Sequence, residues 1–361
     1  MAQHFRRSDL RAASRLAVQA TLGLTDLVEN LHHNIARVAP PLGAVSMAPT
    51  SGITGLVYRS IRGVARLVGG SLDALLGQVD ALLGPGAADA SPKREAVIAA
   101  LNGVLGDHLA ATHNPLAITM NMRGPAAHGN RTLIMVHGLC MNPQQWQRGG
   151  HDHGAVLAAE GGFTPRYLHY NSGLSVASNG ALLADLLRDM PEPPRELVIL
   201  AHSMGGLVAR SACHQAQQRG DDWPGRLKKM VFLGTPHHGA ALERGGHALD
   251  VILGASPYTA AFSRLSQLRS AGITDLRHGR VFGDEPVPLP AGVSCFAAAG
   301  ELGPGLIGDG LVSVNSALGR HRQASRRLNF EPARQWVGKG IGHLDLLSHP
   351  QVLAQLRAWL M

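Results

Sequence analysis

The sequence predicts an α/β architecture, a mostly parallel sheet with helices on both faces, and three observations carry that prediction. From residue 131 onward, short apolar runs of strand length alternate with helical stretches. One of those runs passes directly into a helix through a small-x-Ser-x-Gly sequence, Ala201 to Gly205. The first 115 residues, in contrast, read as helices alone. They are expected to form an N-terminal extension, 1–115, ahead of a sheet-bearing domain, 116–361.

In the extension, Leu10, Ala13, Ala17, Thr21, Leu24, Val28 and Leu31 recur at spacings of three and four, as do Ile61, Val64, Val68, Leu72, Leu75, Val79 and Leu82. Pro40-Pro41 and Gly84-Pro85-Gly86 punctuate the two stripes, and Ser91-Pro92 supplies the N-cap and first-turn proline of a third helix reaching about His108. Beyond Asn114-Pro115 the expected strands are 131–136, 165–170, 196–201, 227–233 and 293–299, with 116–122 as an extra edge strand. Residues 236–291, between the fourth and fifth of these, are too many for a plain crossover and predict an insertion.

Composition narrows the class. Hydrophobic residues at 45% and charged residues at 16% exclude a wholly disordered chain, and 4% aromatics leave the core to aliphatic side chains. Eight arginines against three acids in residues 1–66 place +5 of the net +8 in the extension. Nucleic-acid binding is not expected, because neither a recognition motif nor an aromatic platform accompanies the charge. Three cysteines are too few for a disulfide framework and point to a reducing compartment, the cytoplasm. Arg66, Asp73 and Asp80 interrupt the most apolar helical stretch, so no run reaches the roughly 18 residues of a membrane span. Polar residues likewise break up any signal-peptide core within 1–30.

The chemistry concentrates where predicted strands end. Leu197 to Leu200 run into Ala201-His202-Ser203-Met204-Gly205-Gly206 and then a helix. A strand that turns sharply into a helix holds the middle residue, Ser203, in a strained conformation with its side chain above the sheet. Upstream, Val136-His137-Gly138-Leu139 ends the first central strand in a tight turn. Leu139 N–H and Met204 N–H are therefore the expected oxyanion-hole donors. A serine nucleophile needs a base oriented by a carboxylate, in the chain order serine, acid, histidine on this kind of sheet. Asp309, within Gly308-Asp309-Gly310-Leu311-Val312-Ser313, and His343, within Ile341-Gly342-His343-Leu344-Asp345, fit that order; His349 is the competing histidine.

With Gly234-Thr235-Pro236-His237-His238-Gly239, these segments resemble, in order, the motifs of bacterial α/β-hydrolase lipases and esterases. Tyr170-Asn171-Ser172-Gly173 followed by Asn179-Gly180 resembles the related group similar to GPI inositol-deacylases. The resemblance spans roughly 116–361. It implies an α/β-hydrolase fold and hydrolysis of apolar carboxylic esters, lipid-like or small, with 236–291 as a lid. The usual first glycine of the serine pentapeptide is Ala201 here.

No cofactor is expected. Some such lipases bind calcium near the histidine loop, where Asp345 sits, with Asp284 or Glu285 as further oxygens; that ligand set is incomplete. His151-Asp152-His153 reads as exposed loop rather than metal site, and Cys140 as packing. An acyltransferase using the same three residues, or a non-catalytic scaffold that kept the fold, are the alternatives left open, and oligomeric state is not legible. Arg6, Arg7, Arg11 and Arg15 beside one stripe, and Arg59, Arg62 and Arg66 beside the other, give residues 1–83 an expected peripheral contact with anionic membrane.

Overall fold

The structure, a computed structural model, describes residues 12, 14–19, 92–125, 130–240, 270–303 and 308–361. The chain divides into two compact units: residues 1–91 with 113–116, and residues 92–112 with 117–361. Of the first unit, residues 14–19 are helical, and Ala12 accepts a hydrogen bond from the Asn114 side chain at 3.1 Å. The rest of the two apolar stripes and their arginines lie outside the described residues, apart from Arg15 and Ala17.

In the second unit, strands β1 (Asn121–Arg123), β2 (Arg131–Val136), β3 (Thr164–His169), β4 (Glu196–His202), β5 (Leu227–Leu233), β6 (Ser294–Glu301) and β7 (Gln335–Lys339) form one sheet in the order β1-β3-β2-β4-β5-β6-β7. Only the β1–β3 pair is antiparallel. Among the described residues of this unit, the α-helices are α1 (Pro92–Ala111), α2 (His153–Gly161), α3 (Val176–Arg188), α4 (Met204–Arg219), α5 (Ala271–His278), α6 (Val314–Ala317) and α7 (Pro350–Leu360). Alternation along the strands explains the layers. Ile134, Val136, Ile199 and Phe232 join Leu183, Leu207 and Val208 of α3 and α4 in one buried cluster. Their neighbours Leu133, Met135, Val198 and Val231 face the other way, with Leu157 of α2 and Val352, Leu356 and Trp359 of α7. Each such fully buried aliphatic side chain contributes roughly 1.5–3 kcal/mol. This sheet order, with a strand–serine–helix turn at its centre, is the α/β-hydrolase fold.

Four features depart from the sequence reading. Helix α1, grouped by its pattern with the N-terminal helices, packs in the sheet-bearing unit. Glu95 pairs with Arg123 at 2.9 Å, Gly103 O accepts from Ser270 Oγ at 2.7 Å, and Gly106 O accepts from Asn171 Nδ2 at 2.8 Å. The edge strand expected over 116–122 forms only at 121–123, and β7 was not anticipated at all. In the expected insertion, residues 241–269 lie outside the described residues, but its C-terminal part is built into the layers. Ile273, Leu276, Val281 and Val287 are buried in the α3–α4 cluster.

Candidate active site

Parallel register brings the C-terminal ends of β2, β4 and β5 level, with Val136 opposite Ala201 and Ala201 opposite Phe232. Loops at that edge are where α/β sheets place ligands. Ser203 terminates β4 and sits at the N-cap of α4 with φ 54° and ψ −128°, a conformation that L-residues rarely adopt. Such strain costs about 1–3 kcal/mol and persists only where the surroundings enforce it. One enforcing contact is Ser203 N–H donating to Leu233 O at 2.8 Å. Another is the close approach of α4 to β2: a Cβ at Gly205 would lie 2.5 Å from Val136 O and 2.6 Å from His137 O. The small residue after the serine is thus demanded by the neighbouring strand's carbonyls.

Asp309 and His343, 34 residues apart, meet directly. His343 Nδ1 donates to Asp309 Oδ2 at 2.7 Å, and His343 N–H donates to Asp309 O at 2.9 Å. The second carboxylate oxygen, Oδ1, accepts from Leu311 N at 3.0 Å and Val312 N at 2.8 Å. Both residues are buried, and a carboxylate so saturated cannot rotate away. Because a carboxylate only accepts, the proton of a neutral His343 sits on Nδ1 and the lone pair on Nε2. His343 Nε2 is buried with no hydrogen-bond partner among the described residues, so no Ser203–His343 hydrogen bond is formed in this state. Open geometry of this kind is common before substrate binds.

His202, beside the serine, was not singled out from sequence. Its Nε2 donates to His343 O at 3.0 Å and its ring lies 4.7 Å from that of His343. Burial first, and then the His343 ring, hold its pKa well below the ordinary imidazole value, so it is a neutral brace for the histidine loop. Gly234, at the end of β5 with φ +58°, closes the cluster: a Cβ there would lie 3.0 Å from Asp309 Oδ2 and 3.1 Å from His343 Nδ1.

Opposite stands the turn after β2, its Gly138 against Ser203 Cβ. Leu139 N–H and Met204 N–H donate to no described group, the latter because the first N–H groups of a helix have no intrahelical acceptor. The turn is held from the segment after β3. Tyr170 OH donates to His137 O at 2.7 Å with the two rings stacked at 4.4 Å, and Ser172 Oγ accepts from Cys140 N at 3.0 Å. Asn171 reaches Gly106 O of α1, and Asn179 Nδ2 returns to Asn171 O at 3.0 Å. The Tyr170–Gly173 motif is therefore a strut under the turn after β2. Tyr170 and Ser172 at the end of the expected strand 165–170 were the available sequence signal.

The remaining candidates have other tasks. His349 N-caps α7, its Nδ1 accepting from Gln351 N at 3.3 Å. The exposed loop read at His151–His153 is instead partly buried: His153 is fully buried, bonded to His151 at 2.8 Å and to Leu346 O at 3.2 Å, while Asp152 caps α2. Burial, foremost, draws the His153 pKa down to about 4. Cys140 is buried against α1, and burial pushes its thiol up to about 12. Asp345 accepts from Gly342 N at 3.1 Å and Asp284 pairs with Arg280 at 2.8 Å. Among the described residues no group of three or more His, Cys, Asp or Glu is arranged to hold a metal, and no helix is long and apolar enough to cross a membrane.

Residues 104–273 match a domain of unknown function, DUF7379. No curated protein matches the chain. Among solved structures, the mature lipase of Bacillus licheniformis is similar at 17% identity and a TM-score of 0.46, over 67% of this chain and 98% of that one. Naproxen esterase of Bacillus subtilis is similar at 16% identity and a TM-score of 0.41, over 67% and 87%. An esterase of Pyrococcus furiosus is similar at 15% identity and a TM-score of 0.40, over 64% and 81%.

Proposed function

We propose that the protein is a serine hydrolase of carboxylic esters with an apolar acyl part. The observation that carries the reading is the buried 2.7 Å bond from His343 Nδ1 to Asp309, which leaves Nε2 as a free base in the neighbourhood of a strained serine. In this reading Ser203 Oγ attacks the ester carbonyl carbon while His343 Nε2 takes the hydroxyl proton. The carbonyl oxygen, now anionic, accepts hydrogen bonds from Leu139 N–H and Met204 N–H. Asp309 stabilises the imidazolium. The C–O bond of the ester then breaks, and the leaving alcohol carries away the proton that His343 returns. Water repeats the sequence on the acyl-serine, releasing the carboxylic acid and regenerating the serine.

Turnover of p-nitrophenyl esters of graded chain length tests this. The expected result is a burst of p-nitrophenol followed by steady release of free acid, with the longer acyl chains preferred. Absence of turnover across the whole series, or acyl transfer to added alcohol with no free acid formed, would overturn hydrolysis as the reaction.

A further inference from the structure

A cavity of about 460 Å³ lies between the His237–His238 turn after β5, the 278–288 strap and the 321–328 loop. None of Ser203, Asp309, His343, Leu139 or Met204 lines it. Its volume is that of a small-molecule site. Its chemistry is one-sided: Arg210, Arg280, Arg326 and Arg327 contribute four positive charges, and Asp284 and Glu285 two negative, leaving +2 with the histidines neutral. Asp284 is already committed to Arg280.

The wall begins with an unusual residue. Arg210 sits in α4 among buried residues, 3% exposed, and no carboxylate pairs with it among the described residues. Its guanidinium donates through Nη1 to His237 Nδ1 at 3.2 Å and through Nη2 to Val287 O. Burial lowers its pKa only to about 10, so it stays cationic at neutral pH. A buried charge without a counter-ion is destabilising by several kcal/mol unless something neutralises it.

Hydrogen-bond accounting says what the counter-ion is like. Since His237 Nδ1 accepts from Arg210, the ring proton is on Nε2, and among the described residues that buried N–H has no partner. Arg210 Nε–H is a second buried donor without a partner. His238, whose Nε2 is also buried with no partner among the described residues, has its ring tilted against that of His321 at 4.9 Å, with Arg326 in the same lining. Unpaired donors and a net positive lining select an acceptor-only, negatively charged group. Ser316 Oγ, accepting from His238 N at 3.1 Å and donating to Gly239 O at 2.8 Å, fixes this turn to α6.

We propose that this cavity binds a phosphate monoester, its phosphoryl oxygens accepting from Arg210 and His237 and its charge neutralising Arg210 and the arginines at the mouth. The remaining volume takes a small organic body against Val281, Val287 and Leu328.

Calorimetric titration and thermal denaturation of the full chain, in phosphate-free low-salt buffer, test the proposal with inorganic phosphate and glycerol 3-phosphate. Phosphatidylcholine vesicles with and without ether-linked phosphatidic acid form a separate arm for a lipid headgroup. The expected result is saturable binding of glycerol 3-phosphate with a raised Tm, and inorganic phosphate competing for the same site. Arg210→Met should remove the ligand-induced Tm rise, and Arg326→Ala with Arg327→Ala, on the exposed mouth, should weaken binding by about tenfold or more. The mouth variant keeps the test decisive should Arg210→Met fail to fold. Binding confined to phosphatidic acid vesicles and lost in the mouth variant would identify a membrane headgroup as the source of the same chemistry. Absence of binding in every arm, or binding unchanged in the mouth variant, would overturn the proposal.

Discussion

The two halves of the candidate active site are built on opposite terms. Of the side-chain polar atoms of Asp309 and His343, all but His343 Nε2 are engaged: two backbone N–H groups hold Oδ1, the imidazole holds Oδ2, and His202 holds the His343 carbonyl. On the Ser203 side the Leu139 and Met204 N–H groups stand free, while the turn beneath them is pinned by Tyr170 and Ser172. The carboxylate and the imidazole are held by fixed partners in advance. Where charge would appear only during reaction, the donors are fixed in direction but left vacant, as electrostatic preorganisation requires.

That contrast can be broken residue by residue. Ser203→Ala should lower ester turnover by roughly four to six orders of magnitude with an unchanged melting curve, measured by steady-state hydrolysis. Asp309→Asn should lower it on the order of 10⁴, because the amide presents the wrong partner to His343 Nδ1. His349→Ala, which removes only a helix cap, should lose about 1 kcal/mol of stability and little activity. Loosening the other half has a smaller effect: Tyr170→Phe or Ser172→Ala should lower kcat roughly tenfold with KM little changed, since a donor is misaimed rather than removed.

Acid should act on the scaffold through its buried histidines. Burial lowers the pKa of His137 to about 3 and of His153 and His169 to about 4, from 6.5. Below pH 6.5 the unfolded chain therefore binds protons that the folded one refuses, and stability falls as pH falls, through about pH 4 for His153 and His169 and about pH 3 for His137. Tm followed from pH 8 to pH 4 should be flat above about pH 7 and drop steeply below about pH 6. A flat Tm throughout would show that these imidazoles are hydrated in the folded state.

Legibility from sequence followed burial on both faces. The stretches 133–136, 197–201 and 230–233 of β2, β4 and β5 are continuous and apolar because helices cover both sides, so these strands and the Ser203 turn are legible directly. Gln335-Trp336-Val337-Gly338-Lys339 pairs along one edge only and is half exposed, so β7 carries no apolar run to notice. Helix α1 was separable as a helix but not assignable to a unit, because its partners, Asn171 and Ser270, are 65 and 167 residues downstream of Gly106 and Gly103. Nor did periodicity mark Arg210. A single arginine within Leu207-Val208-Ala209-Arg210-Ser211-Ala212-Cys213 was the one signal, and its meaning depends on His237 and Val287 arriving from other loops.

The central claim is that Ser203 is the activated nucleophile served by His343. Labelling the intact protein with a fluorophosphonate and mapping the adduct by mass spectrometry tests it most directly. A single adduct is expected on the peptide containing Ser203, abolished in Ser203→Ala and strongly slowed in His343→Ala. An adduct on another residue, or full labelling of Ser203→Ala, would contradict it.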